Sequence, residues 1–206
     1  YNLTVVASLA TLSFTPRLTY SLASMTKSWN DATPSAHASN SAAGPYALVM
    51  GDQTIQFVVT SEDGLKTSTY TVRIHKISND PLLFSLQASP IGTGLSPTFA
   101  STGYSYTMTS NYLAPDIAIT TATVSPFASQ RFQLGAAATW SPWQVATGSA
   151  YLAALPVGVT VIKVQTRAED NIQTKEYTLQ VTKLGNDAFL ASWASPQTAP
   201  APTFSP

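Results

Sequence analysis

Residues 51–76, GDQTIQFVVTSEDGLKTSTYTVRIHK, return 107 positions later as residues 158–183, GVTVIKVQTRAEDNIQTKEYTLQVTK. The offset pairs Gly51 with Gly158, Ile55 with Ile162, Phe57 with Val164, Glu62-Asp63 with Glu169-Asp170, Tyr70 with Tyr177, Ile74 with Val181 and Lys76 with Lys183. A long fixed period marks tandem copies of one structural unit. Each copy reads as two strands around a tight turn. Ile55, Phe57 and Val59, and in the second copy Ile162, Val164 and Thr166, occupy alternate positions, the pattern of a strand with one buried face. The returning strands place Tyr70, Val72 and Ile74, or Tyr177, Leu179 and Val181, inward, with Thr71, Arg73 and His75 turned to water. Asp63-Gly64 and Asp170-Asn171 supply the positive-φ positions of a hairpin turn. A slip of one residue would move the apolar set to the solvent face, so the register is strongly specified.

Repeat phase extends outward from these hairpins. Tyr1-Asn2-Leu3-Thr4-Val5 aligns with Tyr106-Thr107-Met108-Thr109-Ser110, and Leu12 and Phe14 align with Ile117 and Ile119, at an offset of 105. Asn186-Asp187-Ala188-Phe189-Leu190 matches Asn79-Asp80-Pro81-Leu82-Leu83, and Pro202-Thr203-Phe204 matches Pro97-Thr98-Phe99. The expected organisation is the later part of a first sandwich (1–77) without its opening strands, a complete sandwich (78–184), and the first strand and turn of a third (185–206). The linkers Ile77-Ser78-Asn79-Asp80 and Leu184-Gly185-Asn186-Asp187 are short, which suits stiff end-to-end packing. A sandwich without its opening strand exposes an edge that proteins normally cover, so the opening segment of one chain adding to another is a further expectation. Tyr1 in place of Met, with no visible signal peptide, argues for a fragment or a processed product.

The Val157–Val164 segment, the Glu-Asp turn and the closing Lys175–Lys183 strand resemble the later half of a cadherin-like β-sandwich, an Ig-like fold. Leu82–Leu86, Leu95–Phe99 and Tyr104–Met108 resemble its opening. The family occurs as tandem repeats in surface proteins of bacteria, green algae and other protists. The resemblance implies an all-β chain of tandem antiparallel sandwiches serving mainly as spacers and adhesive units. It further implies an extracellular or cell-surface setting, in a long surface or filament-forming glycoprotein such as one coating a flagellum.

Composition narrows the function classes. Of 206 residues 44% are hydrophobic and only 10% charged, with ten basic against ten acidic side chains. A usual charged share is about 25%, so the surface must be built from Ser, Thr, Asn and Gln. No basic stripe is available for nucleic acid and no polybasic patch for membrane. The longest apolar run, Tyr151–Val164, is broken by Pro156 and Gly158 and is too short to span a bilayer. Cysteine is absent, which removes disulfides, thiolate metal sites and a cysteine nucleophile.

Candidate sites are few. His37 lies in an Ala/Ser-rich stretch and His75 on an outward strand face, without a second ligand at metal spacing. The Glu62-Asp63 and Glu169-Asp170 pairs lack the convergent oxygens calcium needs and read as turn residues. No phosphate loop, Ser/His/Asp set or carboxylate pair can be assembled, so no enzyme, metal or cofactor is expected. Trp140-Ser141-Pro142-Trp143, with Tyr151, falls in the long variable stretch Gln130–Leu155. Read as a long loop, that stretch offers a ligand or partner contact; the alternative is that one tryptophan, equivalent to Trp29 of the first copy, packs in the sandwich core. Asn2-Leu3-Thr4 is an N-glycosylation sequon. The expected function is non-catalytic, through contacts with neighbouring repeats of the same or identical chains. The alternative is a carbohydrate-binding accessory module using Trp140 and Trp143, free-standing or attached to a larger carbohydrate-active enzyme.

Overall fold

The computed structural model describes residues 1–89, 94–135, 138–145, 149–186 and 188, with the side chains of Ser149, Ala150 and Leu152 excepted. The residues beyond Asn186 expected to open a third unit therefore lie outside the described residues, save Ala188. All regular structure described is β. Residues 1–76 supply β1 (Asn2–Val5), β2 (Thr11–Phe14), β3 (Ser24–Trp29), β4 (Ser35–Ala36), β5 (Ala43–Ala47), β6 (Gly51–Thr60) and β7 (Thr67–Lys76). Residues 83–183 supply β8 (Leu83–Ser89), β9 (Ser105–Ser110), β10 (Asp116–Thr123), β11 (Ser129–Leu134), β12 (Gln144–Val145), β13 (Ser149–Ala154), β14 (Gly158–Arg167) and β15 (Thr174–Lys183).

The repeated hairpins are β6–β7 and β14–β15, each paired over ten residues in matching register, Ile55 opposite Val72 and Ile162 opposite Leu179. Gly64 (φ 74°) and Asn171 (φ 60°) occupy the left-handed region at the two turns. Around the hairpins the larger sheets run β1-β7-β6-β3-β4 and β12-β11-β14-β15-β9. Facing them are β2-β5 in the first unit and β13-β10-β8 in the second.

The expectation of antiparallel pairing holds except at one edge of each larger sheet. There β1 runs parallel to β7 and β9 parallel to β15. Leu3 opposite Ile74 and Met108 opposite Val181 are equivalent pairs. Lysine contacts repeat as well: buried Lys76 Nζ donates to Leu48 O at 3.1 Å, and half-buried Lys183 Nζ to Leu155 O at 2.9 Å.

Two cores result. Ile55, Phe57, Ile74 and Met25 centre the first, and Ile117, Ile119, Phe132, Ile162, Tyr177 and Val181 the second. Each fully buried aliphatic side chain contributes about 1.5–3 kcal/mol.

Three readings need correction. Tyr70 lies opposite Phe57 on the core-facing side of its sheet, as read, but is 45% exposed and not buried, whereas Tyr177 is fully buried. In the second unit Phe99 and Leu83 lie against Tyr177, and no described residue does the same for Tyr70. Trp29 is not the counterpart of either later tryptophan: it pairs with Ile55 as Leu134 pairs with Ile162. The stretch Gln130–Leu155 is not one long loop, because β11 and β13 occupy both of its ends.

Candidate functional site

The side chains that depart most from a plain β-sandwich gather where the two units meet. His75, near the end of β7, points away from its own core and is covered by the second unit. Its Nδ1 lies 2.5 Å from Asp52 Oδ1 and its Nε2 2.6 Å from Glu169 Oε1. Glu169 Oε2 accepts the Ser78 amide at 2.9 Å, and the Asp170 amide donates to Ser78 O at 3.1 Å. Phe127 meets the imidazole edge-on, with ring centroids 4.8 Å apart. The hydrogen bond to Asp52 first, and that to Glu169 second, hold the His75 pKa above the ordinary imidazole value, against partial burial. A carboxylate on each ring nitrogen favours the imidazolium, which donates in both directions.

His75 does face outward from its strand, but it is not turned to water as expected, because its second carboxylate, 94 residues away in sequence, covers it from the next unit. The paired Glu-Asp motifs divide the work. Asp63 Oδ1 accepts the Leu65 amide at 3.0 Å and the Ser61 hydroxyl at 2.5 Å, and Asp170 Oδ1 accepts the Ile172 amide at 2.8 Å. Both aspartates hold their turns. Glu169 leaves its turn for the junction, while Glu62 is exposed and accepts from the Tyr20 hydroxyl at 3.4 Å. Among the described residues no group of three His, Cys, Asp or Glu is placed to hold a metal. The carboxylates at His75 sit on separate ring nitrogens and do not converge on one point.

A second cluster lies on the outer face of the second unit. Arg131 stands 4.8 Å from the Trp140 ring centroid and 4.5 Å from that of Trp143, and Arg167 stands 4.4 Å from Trp143. The guanidiniums come from adjacent strands and are anchored in turn. Arg131 Nε donates to Gln165 Oε1 at 2.8 Å and Arg167 Nε to Ser129 Oγ at 3.3 Å. Trp140, Arg131, Trp143 and Arg167 thus form one ladder of contacts, with ring faces occupied by cations.

Tyr151 is not part of it. It stacks on Phe132 at 4.9 Å and 4° on the core side of β11, and successive strand residues face opposite ways. Trp29 stacks on Tyr46 at 4.3 Å and 7°. Asn2 is exposed on β1, and His37 Nε2 lies 3.0 Å from Ser41 O. Sequence reasoning singled out the tryptophans but missed their arginine partners. The available signal was two arginines at outward strand positions flanking the Trp-Ser-Pro-Trp motif.

These features define a class: tandem β-sandwich units joined by a polar junction, with no assembled catalytic group among the described residues. Residues 1–77 match the family model described as the cadherin-like beta sandwich domain, and over that segment the resemblance read from the sequence is borne out. The fibronectin(III)-like modules of Clostridium thermocellum CbhA share 12% identity at a TM-score of 0.29, over 93% of this chain and 95% of theirs. Bacteroides ovatus SGBP-B, solved with a mixed-linkage heptasaccharide, shares 12% at 0.29, over 98% of this chain and 72% of that one. Zebrafish RET cadherin-like domains 1 to 4 share 11% at 0.29, over 79% and 40%. Likeness at that level assigns no ligand to this chain. No curated protein matches it.

Proposed function

We propose that this chain is a non-catalytic spacer of an extracellular or cell-surface protein, in which sandwiches spanning 1–77 and 78–184 are held end to end at a set angle. A third would begin at 185–206. The observation that carries the reading is the junction. His75 joins Asp52 of its own unit to Glu169 of the next, Glu169 also accepts the linker amide of Ser78, and Phe127 closes against the imidazole. A flexible connection needs none of these contacts, and inter-unit motion is the default where they are missing. Low charge and a surface rich in Ser and Thr fit an exposed, glycosylated setting, with Asn2 as the sugar-bearing position. The partners are neighbouring repeats of this chain or its copies.

The Arg–Trp ladder supports the same reading, because indole faces already stacked on guanidiniums are poor platforms for a sugar ring. The test is small-angle scattering together with residual dipolar couplings of the two units. One shared alignment tensor is expected for the native chain, and two independent tensors for Glu169→Ala. Independent tensors in the native chain would overturn the spacer reading. Binding on a glycan array that is lost in Trp140→Ala would favour the carbohydrate module.

A further inference from the structure

We propose that Trp140 is a site of C-linked glycosylation, its indole carbon C2 bearing a hexose through a carbon–carbon bond. The proposal rests on the extracellular setting proposed above, because the donor it needs is a lipid-phosphate-linked mannose on the lumenal side of a secretory membrane.

The sequence supplies the acceptor pattern. Trp140-Ser141-Pro142-Trp143 sets two indoles three residues apart. That spacing marks the first tryptophan for this chemistry, much as Asn-X-Ser/Thr marks an asparagine for an N-linked sugar. At the same distance Trp29 is followed by Ala32, Trp143 by Ala146 and Trp193 by Pro196, so Trp140 alone of the four tryptophans has the pattern.

The structure gives a second, independent reason. The motif does not enter the core but is pinned along the side of β11 away from β14. The Ser141 amide donates to Phe132 O at 2.8 Å, and the Ser141 hydroxyl accepts the Phe132 amide at 2.9 Å. Gln133 Nε2 donates to Ala138 O at 2.6 Å and holds the approach to Trp140. Phe132 is buried against Tyr151, so its neighbour Arg131 faces outward, and both indoles gather at that guanidinium. Among the described residues Trp143 has a second cation, Arg167, whereas Trp140 has Arg131 alone. Trp140 is therefore the outer end of the ladder, and it is half-buried. A cation over an indole occupies a ring face, while C2 lies on the ring edge. A sugar on that edge projects from the outer face of the sheet without displacing the stack. Trp29, by contrast, packs against the first core and has no second indole three residues on.

The step is a substitution without redox change, carried out by a transferase outside this chain. The indole C2 attacks the anomeric carbon of the donor, the bond from that carbon to the phosphate oxygen breaks, and the lipid phosphate leaves with the electron pair. Loss of the C2 proton restores the aromatic ring. A guanidinium over the ring draws on the same π density that C2 must supply. Transfer therefore belongs to the chain before the ladder closes, and folding then stacks Arg131 on an indole that already carries its sugar.

The experiment leads the 206-residue chain into the secretory pathway with an added leader, in cells that lack a tryptophan C-mannosyltransferase, with and without that enzyme co-expressed. Tandem mass spectrometry of the digest is the readout. With the enzyme, the peptide holding Trp140 and Trp143 should gain one hexose, placed on Trp140 by its fragments. The sugar should break across its own ring and not leave whole, because a carbon–carbon bond holds it. The gain should vanish without the enzyme and in Trp143→Ala. A bare Trp140 in the presence of the enzyme overturns the proposal, as does modification that survives Trp143→Ala. So does a hexose that leaves whole, which places it on a hydroxyl such as that of Ser141. Should Trp143→Ala fail to be secreted, the native sequence with and without the enzyme decides alone. The added leader supplies the setting, so a bare Trp140 counts against this site and leaves the spacer reading to its own test. On protein from its natural source, an Asn2 glycan with a bare Trp140 overturns the site alone. Asn2 and Trp140 both bare count against the extracellular reading as well.

Discussion

His75 and Glu169 stand 94 residues apart in the chain and 2.6 Å apart in space, and theirs is the one ion pair among the described residues that joins the two units. Because Asp52 and Glu169 raise the His75 pKa, the sign of its pH response is fixed. A raised folded-state value means the contribution is complete below the ordinary imidazole value of about 6.5 and fades as pH rises through the folded value. Scattering should report a set inter-unit angle in mild acid and a broader distribution in alkali, with His75→Gln removing the difference. An NMR titration placing His75 at or below about 6.5 would refute the account.

Tyr177 and Tyr70 offer a comparison at matched positions. Tyr177→Phe leaves the Leu83 amide without its partner, which costs about 1–3 kcal/mol for a buried donor. Tyr70→Phe at an exposed position should stay within about 0.5 kcal/mol in dilute solution. Urea unfolding of both variants checks the contrast, and equal losses would contradict it.

Much of this fold is legible in the sequence because its governing interactions are local. The alternation in β6, β7, β14 and β15, and the Asp-Gly and Asp-Asn turns, each need only a short window. The offset between Leu3 and Met108 reappears as the matched parallel edges. What escapes is whatever depends on a distant covering element. Tyr70 has the sequence pattern of Tyr177 but not its lid. His75 looks solvated because Glu169 belongs to the next unit. In the second hairpin Asp52 and His75 are replaced by Val159 and Thr182, so the two-carboxylate bridge belongs to the first hairpin alone.

A buried polar pair invites a double substitution. The Thr121 hydroxyl donates to Gln130 Oε1 at 2.6 Å, both residues are fully buried, and Gln130 Nε2 has no hydrogen-bond partner. At the Gln130 position the first unit has Met25. Gln130→Met alone strands the Thr121 hydroxyl and should cost about 1–3 kcal/mol. With Thr121→Val added, stability should return to the native level or exceed it. Thermal denaturation of the single and double variants measures the coupling, and additive losses would argue against it.

The Arg–Trp ladder predicts a spectroscopic change. Arg131→Ala removes a cation from both indoles. At about 0.5–1 kcal/mol for each exposed contact, the loss is about 1–2 kcal/mol. Tryptophan emission should shift to longer wavelength as the rings gain water. An unchanged spectrum would place the indoles away from Arg131.

The strand arrangement of the second unit has a mechanical consequence. The chain enters this unit along β8 and leaves it along β15, in different sheets. Tension on the two ends draws β15 lengthwise past its neighbours β14 and β9. The six paired positions of the parallel edge, from Ser105–Thr178 to Ser110–Lys183, then share the load together instead of opening in turn like a zipper. Rupture under force is therefore expected at a high threshold and all at once.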